Sequence, residues 1–321
     1  MKNFWNKYPE IDKEIQGVVS IIEKNAKCRD KIVEGSIIEL LHSGGKMLRP
    51  SFVILSSKFG NYDKEKARAL GAVVEMFHMA TLVHDDIIDE ATLRRGKETV
   101  QSKYGKNYAV YIGDYLFCIC FKILAQIASK STVKVDTMSM SRICMSEIDQ
   151  LNSRFDKNVS VKKYLKRISG KTAELFSLSL YIGASESGCS KKMARLFWEI
   201  GHNLGMAFQV IDDVLDYTGS DEGIGKNSAN DLKQGIYTLP LILALENKPK
   251  DLVELLQKDE YSNEDITEII SLINKYDGVE KARSIAHKYT NKAYKQIKSL
   301  PENEYREILL DIAKMLLDRA Y

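Results

Sequence analysis

The chain has 321 residues, 44% of them hydrophobic, with 47 basic and 44 acidic side chains and a formal net charge of +3. That apolar content is ample for a large core, while so balanced a charge argues neither for nor against nucleic acid, and no long basic block points to such a partner. The opening MKNFWNKYPEIDKEI lacks an apolar signal core, and the most apolar window, 115–128, contains Lys122 and is short for a bilayer, so neither secretion nor an integral membrane protein is expected.

Five cysteines, at 28, 118, 120, 144 and 189, show no paired metal-ligand spacing and read as reduced core residues of a cytoplasmic protein. The five prolines, at 9, 50, 240, 249 and 301, sit at element boundaries and leave long stretches free to be helical. Amphipathic patterns predict helices over 10–26, 29–42, 49–59, 63–91, 107–128, 133–153, 161–185, 190–218, 235–247, 262–275, 278–298 and 302–320, with no strand-type alternation. The expected fold is all-α, a helical bundle around a central cavity lined by facing helices. Length alone suggests two domains. The paired motifs described below must serve one site, so a single domain over 1–321 is expected.

In chain order, His42-Ser-Gly-Gly-Lys-Met-Leu-Arg-Pro50 is a glycine-rich loop entering a helix. Lys46 and Arg49 supply charge for an anion, although such a loop taken alone is more often an ordinary turn. The next helix carries Val73, Val74, Met76, Phe77, Ala80, Val83, Ile87 and Ile88 at helical spacing and ends in Asp85, Asp86 and Asp89. Asp85 and Asp89 stack on one face. Close carboxylates on a core-like helix repel and lose hydration, so a cation is the natural compensation. All-oxygen ligation suggests Mg²⁺. The competing reading is a solvated acidic helix end. His78 lies two turns before Asp85 on nearly the same face, where a lone histidine is ordinarily a satisfied core residue. His84 points elsewhere and reads as structural.

Arg94 and Arg95 are adjacent, so their side chains diverge and can reach two separate anions, or form a solvated basic turn. Phe117 and Phe121, one turn apart, are more often plain core than a pocket floor. Gly170-Lys171-Thr172 interrupts a helical run, where a loosened turn can aim Lys171 into the cavity. Asp212, Asp213 and Asp216 then repeat the first acidic spacing, with Gln209 one turn before Asp212. Two such clusters can bracket several Mg²⁺ ions around a diphosphate. The small residues of 218–226 suit a mobile closing segment with Lys226 as a phosphate contact.

Together GGKMLRP (44–50), HDDIIDEATLRRG (84–96), GDY (113–115), GKT (170–172), FQVIDDVLD (208–216), GK (225–226) and DLKQGIYTLP (231–240) resemble the trans-polyprenyl diphosphate synthases. Within that family the likeness is greatest to the large catalytic subunit of two-component hexaprenyl or heptaprenyl diphosphate synthases of Gram-positive type. The resemblance implies a single-domain bundle of the isoprenoid synthase type. It further implies Mg²⁺-dependent condensation of isopentenyl diphosphate with an allylic diphosphate, giving a medium- or long-chain all-trans product. By resemblance, Asp85, Asp89 and Asp212 hold metal, and Asp86, Asp213, Asp216 and Lys171 complete the catalytic set. Lys46, Arg49, His78 and Arg95 are assigned to isopentenyl diphosphate. Arg94, Lys171, Thr172 and Lys226 are assigned to the allylic diphosphate, and Gln209 joins the substrate-binding set.

Two positions depart from the family pattern: Met47 stands where a basic residue is usual, and Ile236 where many relatives carry lysine. The resemblance also implies a homodimer, or a heteromer with a small regulatory subunit. Product length is expected to depend on Thr81, Ala80 and Phe77, with Phe117 and Phe121 as a lower floor, and about six to eight isoprene units is favoured by family likeness. Rival readings are a geranylgeranyl or farnesyl diphosphate synthase, a terpene cyclase, and a non-catalytic subunit.

Overall fold

The computed structural model describes residues 4–218, 230–258 and 261–318. In order, the helices are α1 (Pro9–Ala26), α2 (Lys31–Leu41), α3 (Leu48–Ser57), α4 (Lys64–Ile88), α5 (Val100–Tyr104), α6 (Lys106–Ile127), α7 (Lys130–Asn152), α8 (Val161–Ile168) and α9 (Glu174–Glu186). They continue as α10 (Lys191–Thr218), α11 (Asn230–Lys233), α12 (Leu239–Ala244), α13 (Lys250–Leu255), α14 (Asn263–Lys275), α15 (Gly278–Lys298) and α16 (Glu304–Asp318). Several start where a short polar side chain satisfies an orphan amide of the first turn. Asp30, Asp63, Thr99, Ser160 and Ser262 all accept in this way.

The all-α expectation holds, since among the described residues the strands amount to one small hairpin, β1 (Leu93–Arg94) with β2 (Lys97–Glu98). The helix expected over 161–185 is α8, a single π turn at Ser169–Ala173, and α9. The helix expected over 235–247 shortens to α12, because Gly235 adopts φ +72° and Pro240 sits in the first turn. The 22-residue α6 is long and apolar enough, by length and composition alone, to cross a membrane. Length therefore does not exclude a span, contrary to expectation, although α6 packs one face on α4. Of the cysteines, Cys120 is buried as expected, whereas Cys118 and Cys144 are exposed; all five are free thiols.

The chain falls into two compact units, one of residues 1–137 and 178–198, the other of 138–177 and 199–321. The first is built on α4, with α1, α3 and α6 packed around it. Val73, Val74, Met76, Phe77 and Ala80 are fully buried there, as are Phe52 of α3 and Leu116 of α6, and burial of each large side chain contributes about 1.5–3 kcal/mol. That apolar shaft carries the first acidic motif to the end of α4. In the second unit α12 packs on α8, α14 and α15, and α15 packs on α16. Tyr164, Val210, Val214, Tyr217, Leu241, Ile269 and Ala282 share its core. Here α10 brings the second acidic motif.

Candidate active site

In the first unit α4 is capped at its start by the Asp63 side chain and closes at Asp89, whose N–H donates to the Asp85 carbonyl at 2.9 Å. Glu90 then takes φ +51°, and the chain leaves the helix. The hairpin that follows pairs Leu93 with Glu98 and Arg94 with Lys97. Its two-residue turn, Arg95-Gly96, has φ +53° and +77°. This is the mirror-image turn that suits strand twist and that glycine makes accessible.

The turn separates the adjacent arginines. Arg94 Nε donates to Asp86 Oδ1 at 2.8 Å, and Asp86 is buried while Asp85 and Asp89 stay partly accessible. Burial pushes the Asp86 carboxyl up and Arg94 pulls it back. Arg95 instead reaches the glycine-rich loop, with Nη1 3.3 Å from the point where a Cβ on Gly45 would stand. The carbonyl of Lys46 in that loop accepts from Trp5 Nε1 at 2.7 Å.

Arg49 and Arg95 both act on two side chains of α4 one turn apart, Glu75 and His78. Burial raises the Glu75 carboxyl, opposed by the two guanidiniums. Burial and the charges of Arg49, Arg95 and Arg94 hold His78 well below its ordinary value, so at neutral pH it is an uncharged imidazole. His84 turns away as expected, with Nε2 3.3 Å from the Val110 carbonyl and 3.5 Å from Asp114 Oδ1.

Below the acidic end, Ala80 is fully buried and Thr81 Oγ1 donates to the His78 carbonyl at 2.8 Å. The Phe77 ring meets Phe117 at 5.8 Å and Phe121 at 6.1 Å between centroids. Phe117 also meets the His84 ring at 5.8 Å. Phe77, Phe117 and Phe121 thus form one ring cluster of α4 and α6, although Phe121 is half exposed.

In the second unit, Asp212 and Asp216 are partly accessible and Asp213 is buried. Both Asp213 oxygens accept hydrogen bonds, Oδ2 from the Tyr164 hydroxyl at 2.5 Å and Oδ1 from Gln209 Nε2 at 2.8 Å. Gln209 Oε1 accepts in turn from Thr172 Oγ1 at 2.6 Å. Lys171, on the π turn, pairs with Glu147 Oε2 at 2.8 Å. Single π turns of this kind recur at functional sites because they re-aim one side chain without ending the helix. Burial pushes Asp213 to about 7, against the pull of its two hydrogen bonds and with a further push from Asp231 and Asp216. Burial likewise pushes Asp216 to about 7, helped by Asp231 and Asp212.

A divalent cation fits that donor set, since accumulated carboxylate repulsion in a partly dry site is what it removes. Among the described residues no three carboxylate, imidazole or thiol groups converge to enclose an ion. Lys226 and the segment 219–229 lie outside the described residues. Three residues of these clusters escaped the sequence reading. Glu75 precedes His78 by one turn and Tyr164 precedes Lys171 by about two, but many helical residues share such spacings and neither stands out by them. Asp231 opens the DLKQGIYTLP stretch, where nothing in its sequence neighbours ties it to the second acidic motif.

Residues 30–273 match the family described as polyprenyl synthetase. A curated relative, heptaprenyl diphosphate synthase component 2 of Bacillus subtilis (strain 168), is 34% identical over 315 residues, 98% of this chain and 90% of the relative. The crystal structure of geranylgeranyl pyrophosphate synthase from Lactobacillus brevis superposes with a TM-score of 0.94 at 34% identity, covering 99% of this chain and 100% of the other. A polyprenyl synthase from Caulobacter crescentus, complexed with calcium and isoprenyl diphosphate, gives 0.91 at 30% identity, covering 98% and 97%.

Proposed function

The chain belongs to the polyprenyl synthetase family and is a prenyl chain-elongating transferase, and from that premise we propose that it extends an allylic diphosphate with isopentenyl diphosphate to about six to eight isoprene units. The family binds diphosphate with a divalent metal; we take it to be Mg²⁺, which the resemblance assigns to Asp85, Asp89 and Asp212, with Asp86, Asp213 and Asp216 completing the catalytic set. When bound, the cations neutralise charge on the departing diphosphate and so favour ionisation of the allylic carbon.

The observation that carries the reading is the divergence of Arg94 and Arg95. Arg94 is tied to the acidic cluster through Asp86, while Arg95 joins Gly45, Glu75 and His78. Two anion sites are what a condensation needs and a cyclase does not. Lys46, Arg49, His78 and Arg95 therefore hold isopentenyl diphosphate. Arg94, Lys171, Thr172, Gln209 and Lys226 serve the allylic diphosphate, and for Lys171 this entails exchanging Glu147 for phosphate. A neutral His78 donates a hydrogen bond without adding charge. The proton lost on closure of the new double bond goes to the released diphosphate.

We further propose that both units act as one functional domain and that the enzyme works in the cytoplasm, in keeping with its free thiols. A second polypeptide, either another copy or a small regulatory subunit, covers exposed apolar side chains. On α6 these are Val110, Tyr111 and Phe121, and on α7 Met138, Met145, Ile148 and Leu151. The relative named component 2 supports the heteromeric form.

The test is incubation with radiolabelled isopentenyl diphosphate and farnesyl diphosphate, with and without Mg²⁺, followed by chain-length analysis. Labelled medium- or long-chain product that requires Mg²⁺ is expected. Consumption of farnesyl diphosphate without incorporation of label would indicate a cyclase and defeat the proposal.

A further inference from the structure

Tyr164 lies outside the acidic motifs and is 1% exposed in the core of the second unit. A phenylalanine would fill the same space. The hydroxyl therefore answers a different need, and its partner is Asp213 Oδ2 at 2.5 Å. With Gln209 Nε2 on Oδ1 at 2.8 Å, the two oxygens of one buried carboxylate are held from two directions. Gln209 is itself oriented, because Thr172 Oγ1 donates to its Oε1 at 2.6 Å and so leaves only the amide nitrogen for Asp213.

The support of Tyr164 is equally fixed. The Arg167 guanidinium stands 5.5 Å from the centre of its ring. Arg167 Nη2 donates to the Tyr237 carbonyl at 2.9 Å and Nη1 to Ser153 Oγ at 3.3 Å. Two glycines of α10 let its backbone close on the element that carries Thr172. A Cβ on Gly205 would lie 2.5 Å from Ala173 Cα, and one on Gly201 2.5 Å from the Phe176 carbonyl oxygen. These close approaches fix the shaft of α10 about two and three turns before Asp213.

We propose that Tyr164 is a positioning residue for the second acidic cluster. By fixing the middle carboxylate, Asp213, it sets the rotation of the helix end that presents Asp212 and Asp216 to metal-bound diphosphate. The proposal rests on the reading of Asp212 as a metal-holding group, and outer partners of this kind commonly alter metal affinity about 10–100-fold.

The experiment titrates Mg²⁺ calorimetrically into the full-length protein in the presence of inorganic pyrophosphate, for wild type, Tyr164→Phe and Asp212→Ala, alongside steady-state kinetics. Tyr164→Phe is expected to weaken Mg²⁺ binding about 10-fold and to lower kcat, while KM for isopentenyl diphosphate stays unchanged. Wild-type Mg²⁺ affinity in Tyr164→Phe, with Asp212→Ala impaired, overturns the positioning role alone. Wild-type affinity in Asp212→Ala overturns the reading beneath it. A second measurement does not depend on the phenylalanine variant folding: 3-fluorotyrosine placed at 164 keeps ring and hydroxyl, and its ¹⁹F resonance is expected to move when Mg²⁺ and pyrophosphate are added together. A resonance that stays in place overturns the proposal.

Discussion

The two acidic helix ends share one spacing and one division of labour, yet they are stabilised by opposite means. In each, the middle aspartate is buried and the outer two remain accessible. Asp86 is met by a cation, Arg94, whereas Asp213 is met by two neutral donors and further pushed by Asp231. The first end thus carries its own counter-charge. The second gathers Asp212, Asp213, Asp216 and Asp231, whose burial and mutual repulsion raise two of the carboxyls, a repulsion that an added cation would relieve. Identical motifs therefore impose different demands on what binds.

The strongest way to break this comparison is to remove an accessible carboxylate from each end. Asp85→Ala and Asp212→Ala are each expected to lower kcat on the order of 10³-fold, the equivalent of several kcal/mol of charge stabilisation. Melting temperatures should hold or rise, because a repelling carboxylate is gone. Near wild-type turnover in either variant would end the case for two cooperating clusters.

A second test separates the ends by stability. Arg94→Gln leaves a buried carboxylate at Asp86 without its cation and is expected to cost about 1–3 kcal/mol. Adding Asp86→Asn should recover most of that loss, measured by denaturant unfolding. No recovery in the double variant would show that Arg94 stabilises through packing and not through charge.

How far the sequence could carry this comparison depends on what each feature writes into the chain. The acidic ends were legible because aspartates three and four apart in an apolar helix conflict with burial, and the conflict shows at the level of residue type. The helical shafts were legible through periodicity, with α4 and α10 found to within a few residues. The hairpin was not, since strands of two residues are too short to alternate, and Arg94 to Lys97 read as a basic turn. Nor was Tyr164: an amphipathic helix has many aromatic residues on its inner face, and nothing local distinguishes the one whose hydroxyl meets Asp213. Glu75 was likewise hidden, because its meaning depends on Arg49 and Arg95 folding back to it.

Acidity sharpens the contrast further. Asp213 and Asp216 sit at about 7 in the folded protein, far above an unfolded aspartate. Between roughly pH 4 and 7 the folded state therefore binds more protons than the unfolded one, so their contribution falls as pH rises through this window. Without divalent cation, the melting temperature should be higher at pH 5.5 than at pH 8. Mg²⁺ with pyrophosphate should narrow that gap. Asp216→Asn should flatten the profile, as should Asp136→Asn through a separate buried carboxyl that burial raises to about 7. Asp136→Asn supplies the background to subtract. A melting temperature that climbs from pH 5.5 to 8 in metal-free protein would contradict the charge accumulation inferred at the second end.

The smallest expected effect concerns the residues beneath each end, where the helices again differ. Five residues before the first aspartate both carry alanine, Ala80 and Ala207, and both are buried. Eight residues before it α4 has Phe77, in contact with Phe117 and Phe121, whereas α10 has Leu204, close to the glycine seam that packs on Ala173 and Phe176. We therefore expect the growing chain to run along α4. The rise from Ala80 to Phe77 is about 4.5 Å, comparable to one isoprene unit. Each added CH₂ gains about 0.8 kcal/mol on burial wherever it goes, so transfer energy does not decide where growth stops; a steric floor does. Ala80→Phe is expected to shorten the product by one or more units, and Phe77→Ala to lengthen it. Ala207→Phe should instead overpack α10 at a cost of about 1–3 kcal/mol and leave product length alone. Chain-length analysis of the three variants decides the matter: shortening in Ala207→Phe together with an unchanged distribution in Ala80→Phe would move the tunnel from the first helix to the second.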